Sequence, residues 1–276
     1  MTARTWINGE PADCIAANDR GLQYGDGLFE TMTIRQGRPV TWTRHWNRLA
    51  DGCRRLGIPA PARETLESEI DTAAAGVDRA IAKLIVTRGA GGRGYRVPDE
   101  PRPTRILGLH TWPDYPRYYW TEGVRLRICR TPLGMNPALA GIKHLNRLEQ
   151  VMARQEWDDP AIFEGLMCDP EGRLVEGVMT NVFFWESGRL HTPDLRSCGV
   201  AGIMRERVIE WAERHGVEVR VGDFTPERLL ASEGVFITNS VLGVLPVNRV
   251  EDVEFGIPEA TVRIQRGVFR EEEESA

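Results

Sequence analysis

Pro113 and Pro116 constrain this chain more than any other feature, because they fall where the sequence changes its pattern. A proline lacks a backbone donor and fixes φ, so neither a helix interior nor a central strand runs through such a segment. The spacing predicts two bodies, a smaller one over residues 1–112 and a larger one over 122–276, joined by a linker at 113–121. Both read as short strands broken by turns, with a few helices. That is an α+β pattern with mixed sheets and flanking helices, not a long βαβ alternation.

In the first body, Trp6-Ile7-Asn8-Gly9-Glu10 reads as a hairpin with Asn-Gly at its turn. Leu28 to Ile34 reads as a strand, turned by Gly37-Arg38-Pro39. Trp46, Leu49, Cys53 and Leu56 recur at helical spacing until Gly57, and a second helix spans Glu64 to Ala75. Ala80 to Thr87 and Arg105 to His110 read as strands. In the second body Val124 to Cys129, Phe163 to Cys168, Leu174 to Glu176 and Asn181 to Trp185 read as strands. Leu145 to Trp157 reads as a helix with Leu145, Leu148, Val151 and Met152 on one face. Ile203 to His215 is a helix ended by Gly216, and Thr225-Pro226 reads as a cap followed by an N1 proline. Glu271 to Glu274 would oppose a helix dipole and read as a frayed end.

Forty acidic residues against 35 basic ones give a charge of −5, which argues against nucleic acid or an anionic membrane as the main partner. No apolar run approaches the ~20 residues of a membrane span. The N-terminal residues lack an apolar signal-peptide core. Five scattered cysteines without a CxxC pair suit reduced thiols, with no disulfide framework and no metal site. A cytoplasmic protein is expected. Only two of the 35 basic residues are lysines, Lys83 and Lys143. Where arginine has replaced lysine so widely, a retained lysine points to a need for an amine.

Gly89-Ala90-Gly91-Gly92-Arg93-Gly94 satisfies GxGxxG, but Tyr95-Arg96-Val97-Pro98 follows and no helix can start there, so a dinucleotide site is rejected. A flexible loop carrying Arg93, Tyr95 and Arg96 is expected, either able to close over an anion or an ordinary surface loop, the two being equally common on this pattern alone. Lys143 precedes a helix after an apolar stretch, where poor solvation would favour a nucleophilic amine, although on position alone a surface lysine at a helix start is the commoner case. Lys83 reads as an outward strand residue with its stem over apolar neighbours. Glu176 stands at a strand end; buried, such a carboxylate could keep a pyridine nitrogen protonated, although an exposed strand-end Glu is the commoner case. Gly199 to Arg205 enters a helix through glycines, a seat for phosphate. Arg48 could add a bidentate contact, and Thr238-Asn239-Ser240 offers further donors.

In this order and spacing the segments resemble the fold-type IV, class-IV aminotransferase family of pyridoxal 5'-phosphate (PLP) enzymes, from Tyr24-Gly25-Asp26-Gly27-Leu28-Phe29-Glu30-Thr31 to Val244-Leu245-Pro246-Val247. The resemblance implies a two-domain, D-amino-acid aminotransferase-like fold, with PLP at the domain interface of a homodimer. It implies Lys143 as the Schiff-base lysine, Glu176 with Asn181 at the pyridine nitrogen, and Arg48, Ile203, Met204 and Ser240 around the cofactor. Met204 stands where many relatives carry threonine, so its contact would come from backbone N–H groups. Within the family, Arg88 to Tyr95, Leu133 to Pro137 and Gly141 to Val151 look most like the branch that splits 4-amino-4-deoxychorismate into 4-aminobenzoate and pyruvate. That branch implies Thr31 as a catalytic contact and Tyr24, Phe29, Arg93, Tyr95 and Arg147 as substrate contacts. The rival reading is a transaminase of D-alanine-type or branched-chain amino acids.

Overall fold

The computed structural model describes residues 4–274, with side chains through residue 268. The chain divides into two compact units. The first runs to Pro113 and takes in Ile142–Asn146; the second comprises Asp114–Gly141 and Arg147–Glu273.

In the first unit β1 (Arg4–Ile7) and β2 (Glu10–Pro11) form the expected hairpin. Asn8 and Gly9 both take positive φ, +53° and +89°, as an Asn-Gly turn requires. α1 (Arg20–Tyr24), β3 (Gly27–Arg35), β4 (Arg38–Pro39), α2 (Trp42–Leu56), α3 (Arg63–Ala74), β5 (Arg79–Thr87) and β6 (Thr104–Thr111) follow. The strands make one sheet in the order β2-β1-β6-β5-β3-β4, antiparallel throughout. Along β3, Leu28, Glu30, Met32 and Ile34 are all buried and share the face covered by α2, whose His45, Leu49, Gly52 and Cys53 are buried in turn. Phe29 and Thr31 belong to the other face.

The second unit contains α4 (Tyr118–Thr121), β7 (Val124–Ile128), α5 (Leu148–Arg154), β8 (Ile162–Cys168), β9 (Leu174–Gly177), β10 (Asn181–Glu186), β11 (Arg189–Pro193), α6 (Ile203–Arg214), β12 (Val219–Gly222), α7 (Pro226–Leu230), β13 (Gly234–Asn239), β14 (Gly243–Val250), β15 (Val253–Glu254) and α8 (Glu259–Glu274). Its sheet runs β12-β11-β10-β13-β14-β7-β8-β9, with β15 on β14. It is mixed: β7 lies parallel to β14 and β8, and β12 parallel to β11. The central strand β10 is buried on both faces. Val182 and Phe184 join a core with Val235, Ile237, Leu245 and Val247. Phe183 and Trp185 pack with Phe236 against Met204, Val208 and Trp211 of α6 and Ile264 of α8. Each such side chain contributes roughly 1.5–3 kcal/mol of transfer free energy, which is why a six-residue strand can anchor the unit.

Several expectations change. The helix expected over Leu145–Trp157 shrinks to α5, and its apolar face points outward: Leu148, Val151 and Met152 are 71%, 50% and 51% exposed. Gln150 and Ala153 are buried instead. The reason lies upstream. Phe29 donates its N–H to the Lys143 carbonyl (2.9 Å) and Leu145 donates to the Gly27 carbonyl (3.0 Å), so this segment is pinned as an extended rung on the edge of β3. Lys143 therefore belongs to the first unit, not to the C-terminal body where its position in the sequence puts it. Near the expected linker, Tyr115, Tyr119 and Trp120 pack on the second unit's core with Phe163. The backbone of Glu271–Glu274 is helical, while the side chains of that acidic run lie outside the described residues. All five cysteines are free. Among the described residues, no helix is long and apolar enough to cross a membrane.

Candidate active site

Both lysines of the chain meet one aromatic ring. Lys143 Nζ lies 4.4 Å and Lys83 Nζ 5.4 Å from the centroid of Phe29. Lys83 faces Thr31 across the β3–β5 register, so Phe29, Thr31 and Lys83 share a strand face. Lys83 is exposed and Lys143 half-buried. Glycines create this edge: a Cβ at Gly27 would meet Leu145 Cδ1 at 2.8 Å and the Val86 carbonyl at 2.5 Å. The Asn146 amide donates to the Gly25 carbonyl (3.2 Å), closing the rung.

Arg48 is held on the α2 side of the same strand. Its Nε donates to Glu30 Oε1 (2.9 Å) and its Nη2 to Glu30 Oε2 (2.5 Å), while His45 Nδ1 stands 2.6 Å from Glu30 Oε2. Burial alone would push the Glu30 carboxyl up; the Arg48 charge and the His45 hydrogen bond outweigh it and hold it down at about 2. Burial lowers the His45 pKa against the pull of Glu30. The neutral imidazole then donates Nδ1–H to the carboxylate, a tautomer assigned from that contact. His45 Nε2 is buried without a hydrogen-bond partner. Sequence reasoning gave neither Glu30 nor His45 a role, although a Glu at a core-facing position of an apolar alternation was a readable signal.

In the second unit Glu176 is buried, not the exposed strand-end residue of the commoner case. Its Oε2 accepts the Val200 N–H (2.9 Å) and the Asn181 side-chain amide (3.3 Å), and that amide also donates to the Val200 carbonyl (2.9 Å). Gly202 has to be glycine, because a Cβ there would run into Asn181 Oδ1. It is also the N-cap of α6, and no side chain caps that helix. The first-turn N–H groups of Ile203 and Met204 thus remain for a ligand, at the positive end of the dipole. The Met204 side chain packs in the core with Phe183, Val208 and Trp211. Thr238 lies opposite Asn181 in the β10–β13 register, and its buried hydroxyl has no partner. Ser240 is half-buried in a turn shaped by Asn239 Oδ1, which accepts the Val241 and Leu242 N–H groups at 2.9 and 2.8 Å. Arg147, half-buried, is subject to the Glu176 and Glu149 charges, while burial lowers its pKa.

One buried carboxylate was missed altogether. Glu164 of β8 is 1% exposed. It accepts from the Gly165 N–H (2.9 Å), the Met179 N–H (3.0 Å) and the Thr180 hydroxyl (3.1 Å). It ties down the turn between Glu176 and Asn181. Burial pushes its pKa up to about 7, against those neutral donors.

The 89–96 segment is a loop, as the rejection of a nucleotide motif requires. Arg93 and Tyr95 are exposed, and the Tyr95 ring sits 5.5 Å from that of Tyr24. Arg20 binds three of the loop's carbonyls.

Residues 27–250 match the amino-transferase class IV family. Among curated proteins the chain is 34% identical to an aminodeoxychorismate lyase of Vibrio harveyi, covering 94% of this chain and 97% of the relative. Among solved structures it is similar to 4-amino-4-deoxychorismate lyase from Pseudomonas aeruginosa, at 46% identity and a TM-score of 0.93, covering 96% of this chain and 98% of that one. A branched-chain amino acid aminotransferase from T.th., solved with pyridoxamine 5'-phosphate, shares the fold at 23% identity and a TM-score of 0.86, covering 99% of this chain and 95% of that one.

Proposed function

Because the chain belongs to the class IV amino-transferase family, we propose that it is a fold-type IV, PLP-dependent lyase converting 4-amino-4-deoxychorismate to 4-aminobenzoate and pyruvate. The observation that carries this reading is the likeness to the Pseudomonas lyase along nearly all of both chains.

The residues present fit the cofactor. Within the second unit, the uncapped start of α6 and the unpartnered Thr238 hydroxyl would offer donors to a phosphate, and Arg48 is our proposed donor from the first unit. A carboxylate held by two donors, Glu176, suits a protonated ring nitrogen, and Lys143 supplies the amine for the aldehyde. Ile203 and Met204 contribute backbone N–H groups, Ser240 its hydroxyl, and Asn181 orients Glu176.

When bound, the cofactor would supply an electron-accepting pyridine ring. Lys143 would hold the cofactor through its amine, and binding of the substrate's 4-amino group would free that amine to act as a base. The released Lys143 amine then removes the proton from ring carbon C4. Glu176 keeps the pyridine nitrogen protonated and so stabilises the developing charge. The C4–H electron pair becomes the C3–C4 double bond as the C3–O bond breaks. The enolpyruvyl oxygen leaves with its pair, is protonated and departs as pyruvate. The ring becomes aromatic, so no second keto acid is needed. Thr31 contacts the reacting ring from the strand face of Phe29, and Tyr24, Phe29, Tyr95, Arg93 and Arg147 line the substrate, the arginines taking its carboxylates.

The chain acts in the cytoplasm as a homodimer; the outward apolar face of α5 supports burial against a second copy. Following 4-aminobenzoate in the absence of any keto acid tests the whole reading.

A further inference from the structure

We propose that Arg20 is a positioning residue that latches the 89–96 loop and thereby places Arg93 and Tyr95 for substrate. The role of the loop rests on the lyase reading above; the latch itself does not.

Arg20 is 4% exposed, and a guanidinium so deeply placed is tolerated only when its donors are used. Its Nε donates to Asp26 Oδ2 at 2.8 Å. Its Nη1 donates to the carbonyls of Gly94 (3.1 Å) and Arg96 (3.3 Å), and its Nη2 to that of Tyr95 (3.4 Å). Three successive loop carbonyls are thus gathered by one planar fork. The guanidinium carbon also lies 4.9 Å from the Tyr24 ring centroid, the same ring that Tyr95 approaches. Residues 92–97 are all exposed, so core packing does not shape this part of the loop.

The anchor is rigid on its other side. Asp26 also accepts from Arg88 Nε (2.7 Å) and Nη2 (3.0 Å). Arg88, itself buried, donates to the carbonyls of Leu56 (2.8 Å) and Gly57 (2.7 Å), where α2 ends. A line of side chains therefore runs from the end of α2 through Arg88, Asp26 and Arg20 to the loop backbone. Both arginine hydrogen bonds hold the Asp26 carboxyl below its ordinary value despite its burial. Lysine cannot replace Arg20, since an ammonium lacks the flat fork that spans a carboxylate and three carbonyls.

The test uses the full-length, PLP-loaded protein with Arg20→Met and Arg20→Lys. Trypsin cleavage after Arg93 and Arg96 reports loop opening, and steady-state kinetics with 4-amino-4-deoxychorismate separates KM from kcat. Both variants are expected to be cut about tenfold faster at these bonds, with KM raised about tenfold, kcat within about threefold and the cofactor's visible absorption unchanged. Cleavage no faster than wild type in a folded variant overturns the latch. Faster cleavage with an unchanged KM, or a fall in kcat alone, overturns its positioning role. Should Arg20→Met fail to fold, Arg20→Lys keeps the charge and decides by the same readings. Should the wild type make no 4-aminobenzoate, the lyase reading has failed, and the latch still stands or falls on the cleavage rate.

Discussion

Lys143 Nζ stands 4.4 Å from the centroid of the Phe29 ring, and the only other lysine of the chain reaches the same ring at 5.4 Å. The two differ in backbone setting: Lys143 is fixed by its own carbonyl to Phe29, whereas Lys83 is an exposed residue of β5. Lys143→Ala is expected to lose both product formation and the cofactor's visible absorption, and Lys83→Ala to keep the absorption. Phe29→Leu should lower kcat/KM about tenfold by loosening the amine's position. Absorption spectra and initial rates of the three variants check this. Retained absorption in Lys143→Ala would refute the assignment.

Glu30 carries the opposite kind of evidence, a pH dependence of stability. Its carboxyl sits at about 2 in the fold against an ordinary value of 4.5. A depressed carboxyl stabilises above its unfolded value and loses that contribution as pH falls through the folded one. Between pH 4.5 and about 2, roughly 3 kcal/mol should disappear. Glu30→Gln should remove that slope and cost about 3–5 kcal/mol at neutral pH, because Arg48 keeps a buried charge without its counter-ion. Urea midpoints across this range give the answer.

Glu164 should show the reverse slope. Its pKa is raised to about 7 from 4.5, so the fold binds that proton more tightly than the unfolded chain does. Stability from this group is full below pH 4.5 and falls by roughly 3 kcal/mol as pH rises to about 7. Glu164→Gln keeps an acceptor for Met179 but cannot titrate, so the decline should vanish. A wild type and variant with parallel stability curves from pH 4.5 to 7 would contradict the prediction.

Gly202→Ala should weaken PLP binding at least about tenfold, by displacing Asn181 and with it the Glu176 carboxylate. Equilibrium titration with PLP measures it. An unchanged Kd would mean that the tight approach of Gly202 to Asn181 is irrelevant to the cofactor.

Arg93→Ala is expected to raise KM about tenfold, whereas Arg130→Ala, whose side chain is 87% exposed and only 3.8 Å from Glu156, should stay within about twofold. The reverse ranking would sink the substrate role of Arg93.

Locally coded features were legible in the sequence. The Asn8-Gly9 hairpin, the stop of α2 at Gly57 and the span of α6 each depend on residues within one or two turns of the feature. Glu176, Asn181 and the Gly199–Arg205 entry could be singled out because they lie in short, ordered motifs, and the fold joins Glu176, Asn181 and Val200 in one hydrogen-bonded group. The rung at 142–146 was not legible: its partners Gly27 and Phe29 lie far upstream, and that pairing overrode the helical pattern of Leu145 and Leu148. Buried charge was not legible for a related reason. Glu30, Glu164 and Arg20 each look like ordinary polar residues until the fold brings partners from distant elements. Alternation can flag a charge on a core face, but it cannot name the group that satisfies it.

The most direct measurement is 4-aminobenzoate fluorescence after mixing the purified, PLP-loaded protein with 4-amino-4-deoxychorismate and no keto acid. The account predicts steady 4-aminobenzoate and pyruvate formation in equal amounts, abolished in Lys143→Ala. No product from protein that retains its cofactor absorption would contradict it and point to transamination, assayed with D-alanine or branched-chain amino acids and 2-oxoglutarate.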